Sequence, residues 1–260
     1  MVPLDAVAAE HVRSWLGEPT GPGLLDLYQA LAEHRQGLWG DHPRVPRSVL
    51  LLREGGRQLE AFGAGDPEPA VDWLCRRGEK SVALLAPKDW WDAVGRRIEG
   101  VEQAEVLTLS AAASQRPTKP AVVTRRLTVD DSAAFLAPEI ALEWALWGWG
   151  TFRALVERGA GYVVPFGSGF AAMAWVYSQA GDYEAIGVST VLRFRRLGLG
   201  KAAASALVSE IIETREKVPL WSTAPENEAS VAMAQSLGFS IATLETFLRW
   251  SRPQGFIRTR

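Results

Sequence analysis

"RFRRLGLGKAAAS", residues 193–205, decides how the chain is read. Gly198 and Gly200 stand among Arg193, Arg195, Arg196 and Lys201, and an alanine run follows. Glycine lets a backbone approach an anion with no Cβ in the way. A helix starting there aims its free N–H groups and positive dipole end at the same point. The stretch reads as a phosphate cradle, and the question is whose phosphate. A nucleotide P-loop needs glycine five residues before its Gly-Lys pair and Ser or Thr after the lysine. Arg195 and Ala202 occupy those places. Gly198, Gly200 and Ala203 match a dinucleotide fingerprint in letters, but that motif follows its strand directly and needs a carboxylate about twenty residues on. Here "VLRFRR" intervenes after Thr190, and "VPLWST" at 218–223 holds no carboxylate. A diphosphate held by converging N–H groups, with arginine and lysine adding charge, fits the whole stretch.

The rest of the composition narrows the class. The chain has 260 residues, 47% hydrophobic and 22% charged, which suits one large globular domain or two small ones. A net charge of −2 supplies no overall basic field for nucleic acid or a membrane surface. Cys75 is the single cysteine, so neither an internal disulfide nor a cysteine zinc site is expected, in keeping with a reducing compartment. Asp5 and Glu10 interrupt the N-terminal stretch, which does not read as a secretory signal. No run approaches 18 uncharged apolar residues. A cytoplasmic protein is expected.

Pattern along the chain restarts once. "LDAVAAEHVRSWL" and "LLDLYQALAEHRQGLW" read as helices, and "SVLLL" and "RQLEAFG" as a hairpin around "REGG". Helical and strand segments then alternate through "AVDWLCRRG", "SVALLA", "DWWDAVGRRI" and "AEVLTL". "SAAASQRPTKPA" is small, polar and proline-bearing, a linker signature. After it come the strand "VVTRRLTVDD", a helical stretch broken near Gly148 and Gly150, the hairpin "YVVPFGSGFAAMAWVYS" and the strand "DYEAIGVST". The helix "KAAASALVSEIIETREK" suits a buried stripe of Ala203, Ala204, Leu207, Ile211 and Ile212. "PLWST", "ENEASVAMAQSLGF" and "SIATLETFLRW" complete a strand–helix–strand ending. Both halves run strand, strand, helix, strand, helix, strand.

Two motifs carry a family resemblance. "RRLGLG", 195–200, resembles the R/Q-x-x-G-x-G/A signature of the GNAT superfamily of acetyl-CoA-dependent N-acetyltransferases, and "NEASVAMAQSLGF", 227–239, resembles their N-x-x-S…L-G-F segment. The likeness spans about 121–251. "WGTFRALVERGAGYVV", "VSTVLRFRRLGLG" and "LWSTAPENEAS" further resemble the branch that includes zwittermicin-type antibiotic acetyltransferases, in which a degenerate GNAT-like half precedes the active one. The resemblance implies an α/β fold with mixed sheets: a degenerate domain at 1–112 without a cofactor loop, a linker at 113–120 and the N-acetyltransferase domain at 121–260. "LLAPKDWWDAV" in the first half passes from strand to helix without a glycine loop.

The resemblance also implies roles. Acetyl-CoA would be the donor, its pantetheine arm lying along the strand end at Thr190, Val191 and Leu192. Arg195, Arg196, Leu197, Gly198, Leu199, Gly200, Lys201 and Ala202 would hold the pyrophosphate. Asn227 and Ser230 would contact the cofactor, Asn227 also capping its helix. Glu184 lies fourteen residues before Gly198, the spacing of the base carboxylate in several members, on a strand expected to face the cleft. Seven residues after Asn227, where the family often has a tyrosine acid, stands Ala234; Tyr162, Tyr177 and Tyr183 are the other candidates. "LEWALWGWGTF" would line the acceptor cleft, although tryptophans of this kind also build cores. His11, His34 and His42 all precede the linker, so no triad or metal site is expected in the second half. The implied activity is direct acetyl transfer to a primary amine, of a small molecule on the narrower likeness. The alternative is a weak or inactive acyl-CoA-binding sensor. Neither a nucleic acid nor a membrane partner is expected, and oligomeric state is not legible.

Overall fold

The computed structural model describes residues 1–21, 23–55, 58–79, 81–111, 122–137 and 143–251. The linker expected at 113–120 lies outside them, as do the tip of the "REGG" turn and residues 138–142. The chain divides into two compact units, Met1–Glu105 with Thr246–Arg260, described to Ser251, and Val106–Glu245. Sequence boundaries at 112 and 121 differ from this division because two strands are shared out. One begins in the first unit and ends in the second, and the chain's last strand does the reverse.

The first unit contains β1 (Val2–Pro3), α1 (Ala6–Leu16), α2 (Leu25–Ala32), β2 (Leu38–Gly40), β3 (Ser48–Gly55), β4 (Gln58–Gly65), α3 (Pro67–Arg77), β5 (Ser81–Leu85), α4 (Asp89–Gly95) and the start of β6 (Glu102–Ser110). Helix α1 is started by Asp5, whose carboxylate accepts from Ala8 N–H at 2.9 Å. Helix α2 stops at Ala32, so "LWG" is a strand where its apolar residues suggested more helix. Strands β3 and β4 form the expected hairpin, and β4 pairs with β5 in parallel over Leu59–Phe62 and Val82–Leu85. The period-2 alternation sends Leu50, Leu59 and Ala61 to a core under α3 and α4, and Val49, Leu51 and Ala64 to a second core under α1 and α2.

The second unit contains the rest of β6, β7 (Arg125–Arg126), α5 (Ser132–Phe135), α6 (Phe152–Arg158), β8 (Gly161–Phe166), β9 (Gly169–Ala180), β10 (Tyr183–Thr190), α7 (Leu199–Glu213), β11 (Val218–Thr223), α8 (Glu228–Ser236) and the start of β12 (Ser240–Ser251). Its strands lie in the order β6-β11-β10-β9-β8-β7. The "GSG" turn is where expected, with Gly167 at φ +57°. Thr128 and Asp131 form a reciprocal capping box that Arg125 braces with two hydrogen bonds of 2.7 Å. The predicted stripe of α7 is buried at Ala203, Ala204, Leu207 and Ile211, with Ile212 at its margin. Burying a side chain such as Leu207 contributes about 1.5–3 kcal/mol, so the stripe suffices to seat the helix on the sheet. Both units thus repeat hairpin strand, helix, parallel strand, helix, strand, as the sequence pattern indicated.

One buried polar cluster in the first unit has a titration consequence. Arg53 on β3 pairs with Asp26 of α2 at 2.7 Å, and Glu60 sits opposite Arg53 across the β3–β4 ladder. Burial, reinforced by the charge of Asp26 and only partly opposed by Arg53, pushes the Glu60 carboxyl from 4.5 up to about 7. Between those values the folded state binds a proton that the unfolded chain releases. Stability should therefore fall as pH rises from about 4.5 to 7, by at most about 3.5 kcal/mol from this group. Denaturant midpoints measured from pH 5 to 8 should show that decline in the wild type and lose it in Glu60→Gln.

Candidate active site

The cradle begins where β10 ends. A short 3-10 turn, Leu192–Phe194, follows the strand. Arg196 then adopts φ +63° and Gly198 φ +75°, two left-handed residues that curl the chain into the start of α7. No side chain caps α7, and its first internal bond runs from Ala202 N–H to Gly198 C=O at 2.9 Å. The amides of Leu199, Gly200 and Lys201 consequently have no intrahelical acceptor. Arg195 and Arg196 are exposed beside them and Lys201 is half-buried. Free amides and cationic residues thus gather at the start of a 15-residue helix.

The two glycines do different work. A Cβ at Gly198 would meet nothing within 4 Å, so that position needs glycine for its left-handed backbone and the open space before it. Gly200 is buried, and a Cβ there would stand 2.6 Å from Thr190 Oγ1 and 3.3 Å from Val188 Cγ1. Its lack of a side chain lets α7 settle directly onto β10.

Strands β10 and β11 pair in parallel only over Tyr183–Ala185 and Val218–Leu220, although β10 continues to Thr190 and β11 to Thr223. Val191 N–H donates to Ala171 C=O of β9 at 3.0 Å. Odd-numbered residues here therefore turn their main chain to β9, and Val188 and Thr190 turn theirs towards β11. Past Ala185 that edge of β10 has no ladder partner in β11. The gap is an open strand position that leads back to the cradle.

Side chains of β10 alternate between two faces. Val188 and Thr190 point to α7. Gly187 points away from it, where a Cβ would lie 2.7 Å from Trp144 and 2.8 Å from Trp175. Trp144 is stacked on Trp175 with centroids 5.2 Å apart, and Tyr177 meets Trp144 edge-on at 5.3 Å. The tryptophans of "LEWALWGWGTF" divide accordingly. Trp149 is core, its Nε1 bonded to Val176 C=O at 2.6 Å, whereas Trp144 is half-buried against the splayed strand.

Glu184 is not at the cleft. It is an even residue, so it shares the α7 face, and it lies on the closed part of the β10–β11 pair. Its side chain is 2% exposed, and both carboxylate oxygens accept from Arg215, at 2.9 Å from Nε and 2.5 Å from a terminal nitrogen. Arg215 also reaches Gly159 C=O, Arg158 C=O and Gln179. The fourteen-residue spacing suggests a cleft carboxylate, but strand parity sends this one to the α7 face, against Arg215. The signal that could have told them apart is Arg215 at the end of the following helix.

The other expected residues are placed as follows. Asn227 caps α8, its side chain accepting from Ser230 N–H at 3.2 Å, and Ser230 Oγ accepts from Trp221 Nε1 at 2.9 Å. Ala234 is fully buried, leaving no room for a tyrosine acid there. Tyr162 lies in a groove of about 550 Å³ with Arg126, Glu210 and Arg215, along the later part of α7. Burial and a hydrogen bond to Glu210 push its hydroxyl up to about 12, and some 16 Å of helix separate Glu210 from the cradle. Among the described residues no group of three His, Cys, Asp or Glu could hold a metal, and no helix is long and apolar enough to cross a membrane.

The corresponding junction in the first unit is closed. Asp66 caps α3 by accepting from Glu68 N–H at 3.0 Å, and Pro67 occupies its first position. Trp90 fills the space at Gly63 and donates from Nε1 to Gly65 C=O at 2.9 Å. The β4–β5 ladder extends over four residue pairs, up to Phe62.

Known proteins resemble this chain in sequence pattern and in fold. Residues 121–244, nearly all of the second unit, match the family model described as GNAT acetyltransferase. Among curated proteins, none matches the chain by sequence. Among solved structures, a GCN5-related N-acetyltransferase-like protein from Streptococcus suis superposes with a TM-score of 0.67 at 20% identity, covering 94% of this chain and 99% of that one. A tandem GNAT protein from the clavulanic acid biosynthesis pathway gives 0.60 at 16%, covering 98% and 99%. A GCN5-related N-acetyltransferase from Kribbella flavida gives 0.59 at 16%, covering 91% and 98%. At such identities these structures share the fold.

Glu184→Gln should act on the fold. Removing one charge of a buried pair leaves Arg215 uncompensated and costs about 3 kcal/mol. Denaturant unfolding should show that loss, while the pH profile of kcat in the folded variant keeps its wild-type shape. A displaced profile would return Glu184 to the proton path.

Proposed function

We propose that this chain, whose residues 121–244 match the GNAT acetyltransferase family model, is a transferase that moves an acetyl group from acetyl-CoA to the primary amine of a small molecule. The observation that carries the donor assignment is the uncapped start of α7 at the mouth of the β10–β11 gap. The amides of Leu199, Gly200 and Lys201, with Arg195, Arg196 and Lys201, supply donors and charge for a diphosphate. The main chain of Val188 and the Thr190 N–H face the gap, where an amide-bearing pantetheine arm would lie as an added strand, while Thr190 C=O accepts from Arg195 Nε at 3.4 Å. Val191 and Leu192 carry the chain from strand to cradle, and Leu197 and Ala202 flank the amides. Asn227 and Ser230 hold α8, whose Met233 lies near Gly200.

The amine would approach from the Gly187 face, along Trp144 and Tyr177. Its nitrogen attacks the thioester carbonyl, the C–S bond breaks, and the ammonium proton ends on the departing thiol. A thiol of pKa about 8.5 leaves without strong acid help, which suits a site with Ala234. The likeness to zwittermicin-type enzymes in "WGTFRALVERGAGYVV" and "LWSTAPENEAS" supports a small acceptor. The single cysteine and low net charge support a cytoplasmic setting. The first unit, its helix start satisfied by Asp66 and the space at Gly63 filled by Trp90, acts as a scaffold without a cofactor.

Titration calorimetry of the full chain should give one acetyl-CoA per chain. Gly198→Val should weaken it about a hundredfold or more, through two lost charge-assisted bonds of about 1.5–3 kcal/mol each. Two equivalents bound to the wild type, or full affinity in a folded Gly198→Val, would refute the assignment.

A further inference from the structure

Around the cradle the surface is apolar as well as basic. Leu192 is 75% exposed, Leu197 63% and Phe166 54%. Phe166 stands at the tip of the β8–β9 hairpin and packs on Phe194 with centroids 4.5 Å apart. The Arg193 guanidinium lies 4.9 Å from the Phe194 ring centre and 6.0 Å from that of Phe166. The hairpin is tied to the loop by the Val191–Ala171 hydrogen bond. Between Glu184 and Glu210 the chain carries Arg193, Arg195, Arg196 and Lys201 and no acidic residue. A cationic field therefore surrounds an apolar patch at the entrance to the thioester gap, on a molecule whose net charge is −2.

Free acetyl-CoA accounts for the cations and the amides. It does not require two leucines and a phenylalanine held in solvent beside them, because exposed apolar clusters of this kind mark macromolecular contacts. Pantetheine thioesters occur in two forms, on a nucleotide or on a serine phosphate of a small acidic carrier protein. The second form brings one phosphodiester for the cradle, carboxylates for the arginines and an apolar surface for Leu192, Leu197 and Phe166. Resting on the thioester-transfer reading above, we infer that this mouth docks an acidic carrier protein bearing an acyl-phosphopantetheine arm. The reaction balances as with the nucleotide donor. The amine nitrogen bonds to the carbonyl carbon, the C–S bond breaks, and the proton goes to the thiol on the carrier's arm.

The test titrates the full chain with acetyl-CoA and, separately, with a bacterial acyl carrier protein loaded with acetyl-phosphopantetheine. Thiol release with an amine panel is measured for both donors. Phe166→Asp and Arg193→Glu lie outside the proposed cofactor contacts. Each should weaken the carrier about tenfold or more, with the loss for Arg193→Glu shrinking in high salt, and weaken acetyl-CoA by a several-fold smaller factor. Equal loss for both donors would show that the patch serves the nucleotide and overturn the inference. So would acetyl-CoA turnover with no binding of the loaded carrier, which leaves the transferase reading intact. Failure with both donors would remove that reading and this one with it.

Discussion

Helix α7 is held against β10 at two places, and the site depends on both. At its start, Gly200 has no side chain and lets the helix backbone reach Thr190 and Val188. Just past its end, Arg215 grips the buried Glu184 carboxylate at the other end of the same strand. Helix and strand form one rigid piece, so the amides at the start of α7 keep a set distance from the unpaired edge of β10. A diphosphate and an extended arm can then be held together, as preorganisation requires. The parallel ladder with β11 ends at Ala185, one residue beyond the Arg215 clamp. The strand is anchored where it is paired and presents its edge where it is not.

The same arrangement explains what each half of the chain does with a common topology. In the second unit an eight-residue detour from Val191 to Gly198 separates strand from helix and frees three amides. In the first, Asp66 alone connects β4 to α3, and its carboxylate takes the place an anion would need. An anionic cap at a helix start repels a phosphate as effectively as a bare start attracts one. The repeated order of strands and helices therefore carries one cradle.

Much of this was legible in the residues. Periodicity located the hairpins and the stripe of α7, and the glycines with their flanking cations located the cradle, because those signals are local. The two glycines could not be told apart, since one answers to φ and the other to a contact with Thr190. The second helix was read too long because "LWG" is apolar in either state and only pairing with β3 makes it a strand. Glu184 was read onto the cleft because spacing along a strand is visible in sequence and the face it selects depends on what packs there. The domain boundaries were read from the linker, whereas β6 and β12 each divide between units through pairings no local signal reports.

Charge placement is the last constraint. A net charge of −2 argued against an anionic partner only for the molecule as a whole. Electrostatic interactions between exposed groups are screened within about 8–10 Å in physiological salt, so a partner at the cradle senses the nearby charges and little of the distant ones. From Ala185, just after Glu184, to the middle of α7 the charged residues are all cationic, and α7 adds its dipole in the same sense. Arg125, Arg126 and Arg215, by contrast, are matched by Asp131, Glu210 and Glu184. The unit neutralises these cations where they brace the fold, and where the backbone opens the sequence between Glu184 and Glu210 carries basic residues and no acidic one. Recognition of an anion there follows from the local distribution and is independent of the overall sign.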